Sequence, residues 1–148
     1  MNEEELLQSI GEETARDPVG RAYQELGAGV FDAPDIGQAL AGRNPDERAF
    51  LSLVMCSAEI DNGGFEQLFG NSSAAIALHG VEGARRFGLP KHAVIMQSGW
   101  DRWCESNPGE RDEPDARLSQ LDDEWDSADE ELQRRLQEFA RMNLGDRV

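Results

Sequence analysis

The sequence predicts an all-α fold, a single compact domain of about six or seven helices. Three observations carry that prediction. Apolar residues recur three and four apart over long stretches, as one face of a helix requires. Helix start and stop residues punctuate those stretches, at Asp17-Pro18, at Asn44-Pro45 and between Gly88 and Pro90. No segment alternates apolar and polar residues in the manner of a strand.

The elements follow in order. Asn2 is placed to cap a first segment running to about Ala15. Asp17 followed by Pro18 is a cap with proline at the first helical position, and Gly27 is a stop. Residues 28–43 are rich in glycine and contain Pro34, which predicts a loop with one short helix. Asn44-Pro45-Asp46-Glu47 is the strongest start signal: a cap, a first-turn proline and a glutamate at the third position. The helix it opens carries Phe50, Leu51, Leu53, Val54, Met55, Cys56, Ala58 and Ile60 on nearly all sides, so it is read as central and buried.

Asp61-Asn62-Gly63-Gly64 then ends that helix, because Asn and Gly accept the positive φ of a C-terminal turn. Phe65 to Phe69 reads as a short helix with inward aromatics. Residues 73–87 are alanine-rich and helical, with Gly80 and Gly83 working against the assignment. Ala93, Met96, Trp100 and Trp103 give the next apolar face, and residues 105–114 a polar loop. Leu118, Leu121, Trp125, Ala128, Leu132, Leu136 and Phe139 form the last stripe. Ser127 with Glu130 has the spacing of a capping box, which splits this region into two helices near Asp126. The expected organisation is an acidic helical extension over residues 1–43, packed on the core, a helical domain over 44–143 and a tail over 144–148.

Composition narrows the function. The chain has 148 residues with 30 Asp+Glu against 14 Lys+Arg, a net charge of −16. Direct binding to nucleic acid or to an anionic membrane is excluded, because no spare positive charge can replace counterions. Two cysteines, Cys56 and Cys104, do not make a disulfide scaffold, and the acidic start is unlike a signal peptide. The longest apolar run, residues 49–60, is too short to span a bilayer. The expected location is the cytoplasm.

Catalytic patterns are sparse. His79 and His92 form no metal-ligand pair, and no phosphate loop or nucleophile elbow occurs. The reading is therefore no enzyme, no metal and no cofactor. Cys56 is a buried structural thiol by its apolar setting. His79 and His92 read as surface or helix-end residues, and the tryptophans as core. Glu59 and Asp61 flank the glycine turn and read as helix-end residues rather than an acid–base pair.

The acids are the remaining signal, and they are unevenly spread. Residues 1–35 hold nine acids and two bases, and residues 36–100 hold six and five. Residues 101–131 hold thirteen acids and three bases, and residues 132–148 hold two and four. Three readings fit this pattern: a solvated acidic surface, adaptation to high salt, or a binding face for a basic partner. The uneven spread argues against salt adaptation. If one helix persists through Asp122, Asp126 and Asp129, those side chains lie near one face. A four-residue helical step rises about 6 Å, comparable to one or two phosphate spacings of about 3.4 Å along a DNA strand.

The stretch Glu59-Ile60-Asp61-Asn62-Gly63-Gly64-Phe65-Glu66-Gln67-Leu68-Phe69-Gly70-Asn71-Ser72, preceded by Asn44-Pro45-Asp46-Glu47-Arg48, resembles the core motif of the DNA mimic protein nineteen family. Leu118-Ser119-Gln120-Leu121-Asp122-Asp123-Glu124-Trp125 resembles that family's Leu-x-x-Leu-Asp-x-x-Phe, with Trp125 in place of Phe, and residues 132–143 resemble its closing helix. The resemblance implies an all-α fold, a homodimer, and an acidic protein that imitates DNA and occupies the DNA-binding face of a transcriptional regulator. Asn62, Gly63, Gly64, Phe65, Gln67, Phe69 and Asn71 are the motif residues and read as fold determinants.

The expected partner is a basic DNA-binding protein. The residues expected to contact it are Glu110, Asp112, Glu113, Asp115, Asp122, Asp123, Glu124, Asp126, Asp129, Glu130 and Glu131, with Glu3, Glu4, Glu5, Glu12 and Glu13 extending the face. Two alternatives stand beside this. One is an immunity- or antitoxin-like acidic binding protein, or an acidic structural domain without mimicry. The other is an enzyme or small-ligand binder centred on the Asn62–Asn71 turn, with a pocket lined by Glu59, Asn62, Gln67 and Asn71.

Overall fold

The computed structural model describes residues 17–71, 74–105 and 115–144. Local start signals set most of the helices. Asp17 caps α1 (Pro18–Leu26), its carboxylate accepting from Val19 N–H, and Gly27 closes it. Asp35 caps the short α2 (Ile36–Ala41) by accepting from Gln38 N–H. Asn44 opens α3 (Pro45–Asn71), its side-chain oxygen accepting from Glu47 N–H at 2.9 Å. Helices α4 (Ala74–Arg86) and α5 (Pro90–Glu105) follow, separated at Phe87–Leu89. Asp115 caps α6 (Ala116–Ser127), and α7 (Asp129–Leu144) completes seven helices among the described residues.

Helix α3 is the centre. It packs most extensively on α4 and also meets α1, α2, α5, α6 and α7. Phe50, Leu51, Leu53 and Cys56 are fully buried on it, as its apolar residues on all sides require. Ala58 is exposed, however, and Val54 and Met55 are only partly covered. Gly80 and Gly83 do not interrupt α4. Gly83 lies where α4 comes closest to α3, and a Cβ there would meet Ala49 Cα at 2.9 Å. The glycine allows the close approach at the cost of helix propensity.

Helix α7 closes the bundle with Leu132, Leu136, Phe139 and Ala140 buried. Phe139 stacks on Phe50 at 4.9 Å between ring centres and contacts Phe87 at 5.3 Å. Helix α1 lies against α7, and Ala22, Val30 and Leu40 are fully buried, so residues 17–43 share the core. The expected segment from Asn2 to Ala15, the loop at 106–114 and the tail beyond Leu144 lie outside the described residues.

Two local expectations are corrected. The break between α6 and α7 falls at Ala128, and Ser127 does not cap α7. Its hydroxyl donates instead to Asp123 C=O at 2.9 Å, finishing the helix behind it. His92 is not at the surface: it is fully buried on α5, with Nε2 2.9 Å from Ala128 C=O and its ring edge-on to Trp125 at 5.1 Å. That interior partner at the α6–α7 break satisfies one ring nitrogen, while Nδ1 is buried without a hydrogen-bond partner among the described residues.

Candidate functional site

The glycine turn divides α3 into two helical pieces. Gly63 has φ −156° and ψ 17°, and Gly64 has φ +76° and ψ −174°. The second conformation is open to glycine and strained for any other residue. It lets the helix restart at Phe65 in a new direction. A restarting helix leaves its first N–H groups without partners. Asp122 of α6 supplies one: its carboxylate accepts from Phe65 N–H at 2.8 Å. The fit is close, since a Cβ on Gly64 would lie 2.5 Å from Asp122 Oδ2.

Aromatic packing reinforces the same joint. Trp125, one helical turn after Asp122, meets Phe65 edge-on at 5.9 Å and 86°. Phe65 stacks on Phe69, which contacts Trp100 and Trp103 of α5 at 5.6 and 5.7 Å. Across the turn, Gln67 Nε2 donates to Glu59 Oε2 at 2.9 Å. Glu59 and Gln67, two of the four residues expected around a ligand pocket, are thus engaged with each other, and Asn62 is exposed.

The described acids fall into distinct settings. Asp115 is buried. It accepts from Arg117 and Leu118 N–H at 2.9 and 3.1 Å and from Arg102 Nη2 and Nε at 2.8 and 3.0 Å. The Arg102 hydrogen bond holds its carboxyl below the usual range despite burial. Its own N–H donates to Glu66 Oε1, tying α6 to α3. Asp122 is half-buried. Loss of solvent pushes its carboxyl up, the Phe65 N–H pulls it down, and Asp126, Asp123 and Glu66 add upward pressure. Both are structural caps as well as acids.

A second group faces outward. Asp61 of α3 has its carboxyl raised, first by partial loss of solvent and then by Asp129 and Asp126. Asp126 of α6 and Asp129 of α7 are therefore within electrostatic reach of Asp61 beside the glycine turn. Asp61 and Asp126 are exposed, Asp129 half-buried, and Asp123 is exposed on α6. Glu124 lies apart, in a groove against α5, and Glu130 and Glu131 border a polar cavity with Lys91 and Arg134. Glu110, Asp112, Glu113, Glu3, Glu4, Glu5, Glu12 and Glu13 lie outside the described residues. No group of three or more His, Cys, Asp and Glu among the described residues is arranged to hold a metal ion.

Asp61, expected only as a helix-end residue, takes a place among these acids. Its link to Asp126 and Asp129 runs between helices far apart in the chain, which periodicity does not report. A signal did exist, because the two motif blocks hold Asp61 and Asp126 next to residues that meet: Gly64 and Phe65 with Asp122 and Trp125.

The fold and this turn define an acidic, all-helical domain whose two motif blocks lock together. Residues 41–143 match the family model described as DMP19-like protein, and the chain belongs to that family. Comparisons with curated proteins and with solved structures gave no match. No helix among the described residues is long and apolar enough to cross a membrane.

Proposed function

We propose that this chain is a non-enzymatic DNA mimic. Its exposed carboxylates bind the DNA-binding surface of a transcriptional regulator, or of another basic DNA-binding protein, and block it. The observation that carries this reading is that Asp126 and Asp129, on two other helices, lie within electrostatic reach of Asp61 beside the glycine turn. Like charges held together oppose folding, and a basic partner relieves that opposition on binding. Membership of the DMP19-like family supports the same reading.

The proposed surface comprises Asp61, Asp123, Asp126 and Asp129, with Glu130 and Glu131 beside them. Asp115 is left out because its carboxylate is consumed inside the protein, and Asp122 serves mainly to hold the turn. Contacts of this kind are ionic and weaken steeply with salt.

Capture from a lysate tests the proposal. The immobilised protein is expected to retain basic DNA-binding proteins at low and physiological salt and to release them as salt rises. Recovery of no such protein at either salt would overturn it.

A further inference from the structure

Helix α5 carries a surface unlike the acidic one. Pro90, Val94 and Ser98 are spaced four apart and form a ridge along it. A shallow groove flanks the ridge on each side, of about 400 Å³ towards α6 and about 260 Å³ towards α4, and all three ridge residues line both grooves. Ile95 and Leu121 make the first groove apolar, and Val94 is 64% exposed.

The charges around this ridge are the informative part. Arg117 and Lys91 border the first groove and Arg85 the second. None of the three forms a salt bridge with a described residue. Lys91 also borders the cavity that holds Glu130 and Glu131, so the excess of cations is a property of the linings of the two grooves themselves. Glu124 is the acidic residue lining these grooves. A single exposed valine is ordinary on a protein surface; the Pro90–Val94–Ser98 ridge between two grooves, rimmed by cations that form no salt bridge with a described residue, is a complementary shape and charge for a helix.

We propose that this face docks an acidic amphipathic helix of another protein. Its apolar stripe straddles Val94, and its carboxylates meet Arg85, Lys91 and Arg117. A second copy of this chain is a poorer occupant. A two-fold pairing of the face on itself doubles the cations and adds only a Glu124 carboxylate from each side. A head-to-tail pairing does not close and leads to open chains.

The test uses two fluorescein-labelled helical peptides with the same apolar stripe, one flanked by glutamates and the other by lysines. Binding is read by anisotropy against the full chain, Val94→Asp, the double variant Lys91→Glu/Arg117→Glu, and Asp126→Asn/Asp129→Asn. The exposure of Val94 lets the first variant keep its fold, checked by thermal melting. The glutamate peptide is expected to bind, to weaken roughly tenfold or more with each of the first two variants, and to be unchanged by the third. Absence of glutamate-peptide binding overturns the proposal, as does binding that both α5-face variants leave intact. Self-association of the wild type that Val94→Asp abolishes would assign the face to a second copy and overturn it equally.

Discussion

Asp122 accepts a hydrogen bond from the backbone N–H of Phe65 at 2.8 Å, across 57 positions of sequence. This contact lets α3 break at the glycines and restart, because it satisfies an amide that the break exposes. It also brings α6, which carries Asp123 and Asp126, against the piece of α3 that restarts at Phe65, just past the turn from Asp61. One contact thus joins the fold to the arrangement of surface charge.

Asp122→Ala is expected to cost about 1–3 kcal/mol of stability, from an unpaired, partly buried N–H. Gly64→Ala adds positive-φ strain to a collision with Asp122 and is expected to cost at least about 1–2 kcal/mol. The cost of Gly64→Ala should be smaller when Asp122 is already alanine. Urea unfolding of both singles and the double checks this, and strictly additive costs would contradict the contact.

Asp115→Ala removes the α6 cap and is expected to cost about 1–2 kcal/mol. The native Asp115 carboxyl is lowered, so its stabilisation is complete above the ordinary aspartate value of 3.8 and is lost as pH falls below it. Acid unfolding of the wild type and Asp115→Ala should therefore converge at low pH. A constant difference down to the lowest pH would contradict the assignment.

His92 is held neutral, chiefly by burial, with its pKa lowered from 6.5. The unfolded chain then takes up a proton that the folded chain resists, so stability is full above about 6.5 and falls as pH drops through that value. The hydrogen bond to Ala128 C=O works against this shift, as do Glu131 and Asp129, and Lys91 works with it. His92→Phe should be less stable at pH 7.5, because Ala128 C=O keeps only the longer contact to Leu132 N–H at 3.4 Å, yet flatter between pH 7.5 and 5.5. Melting temperatures of the two proteins over that range decide it; parallel curves would contradict a neutral buried imidazole.

Much of this was legible locally. Asp17-Pro18, Asn44-Pro45 and the turn between Gly88 and Pro90 are start and stop signals satisfied within a few residues, and the structure uses each. The Gly63–Gly64 break was legible for the same reason. The burial of His92 was not, because its partner, Ala128 C=O, lies 36 positions away. The break at Ala128 was misplaced because no glycine or proline marks it. The double role of Asp122 was hidden because a carboxylate in an acidic run looks the same whether it caps an amide or faces water.

Neutralising the outward acids should separate binding from stability. Asp126→Asn/Asp129→Asn removes repulsion on Asp61 and is expected to leave stability unchanged or raise it by a few tenths of a kcal/mol. Affinity for a basic DNA-binding partner should fall. Chemical unfolding beside a binding titration checks both, and a loss of stability equal to the loss of binding would contradict the separation.

Competition against DNA tests the mimicry most directly. A basic DNA-binding protein captured by this chain is loaded with a fluorescently labelled duplex carrying its site, and the chain is titrated in at physiological salt. The wild type is expected to displace the duplex, and Asp61→Asn/Asp126→Asn/Asp129→Asn is not. Simultaneous binding of the chain and the duplex, or equal displacement by the neutralised variant, would contradict it.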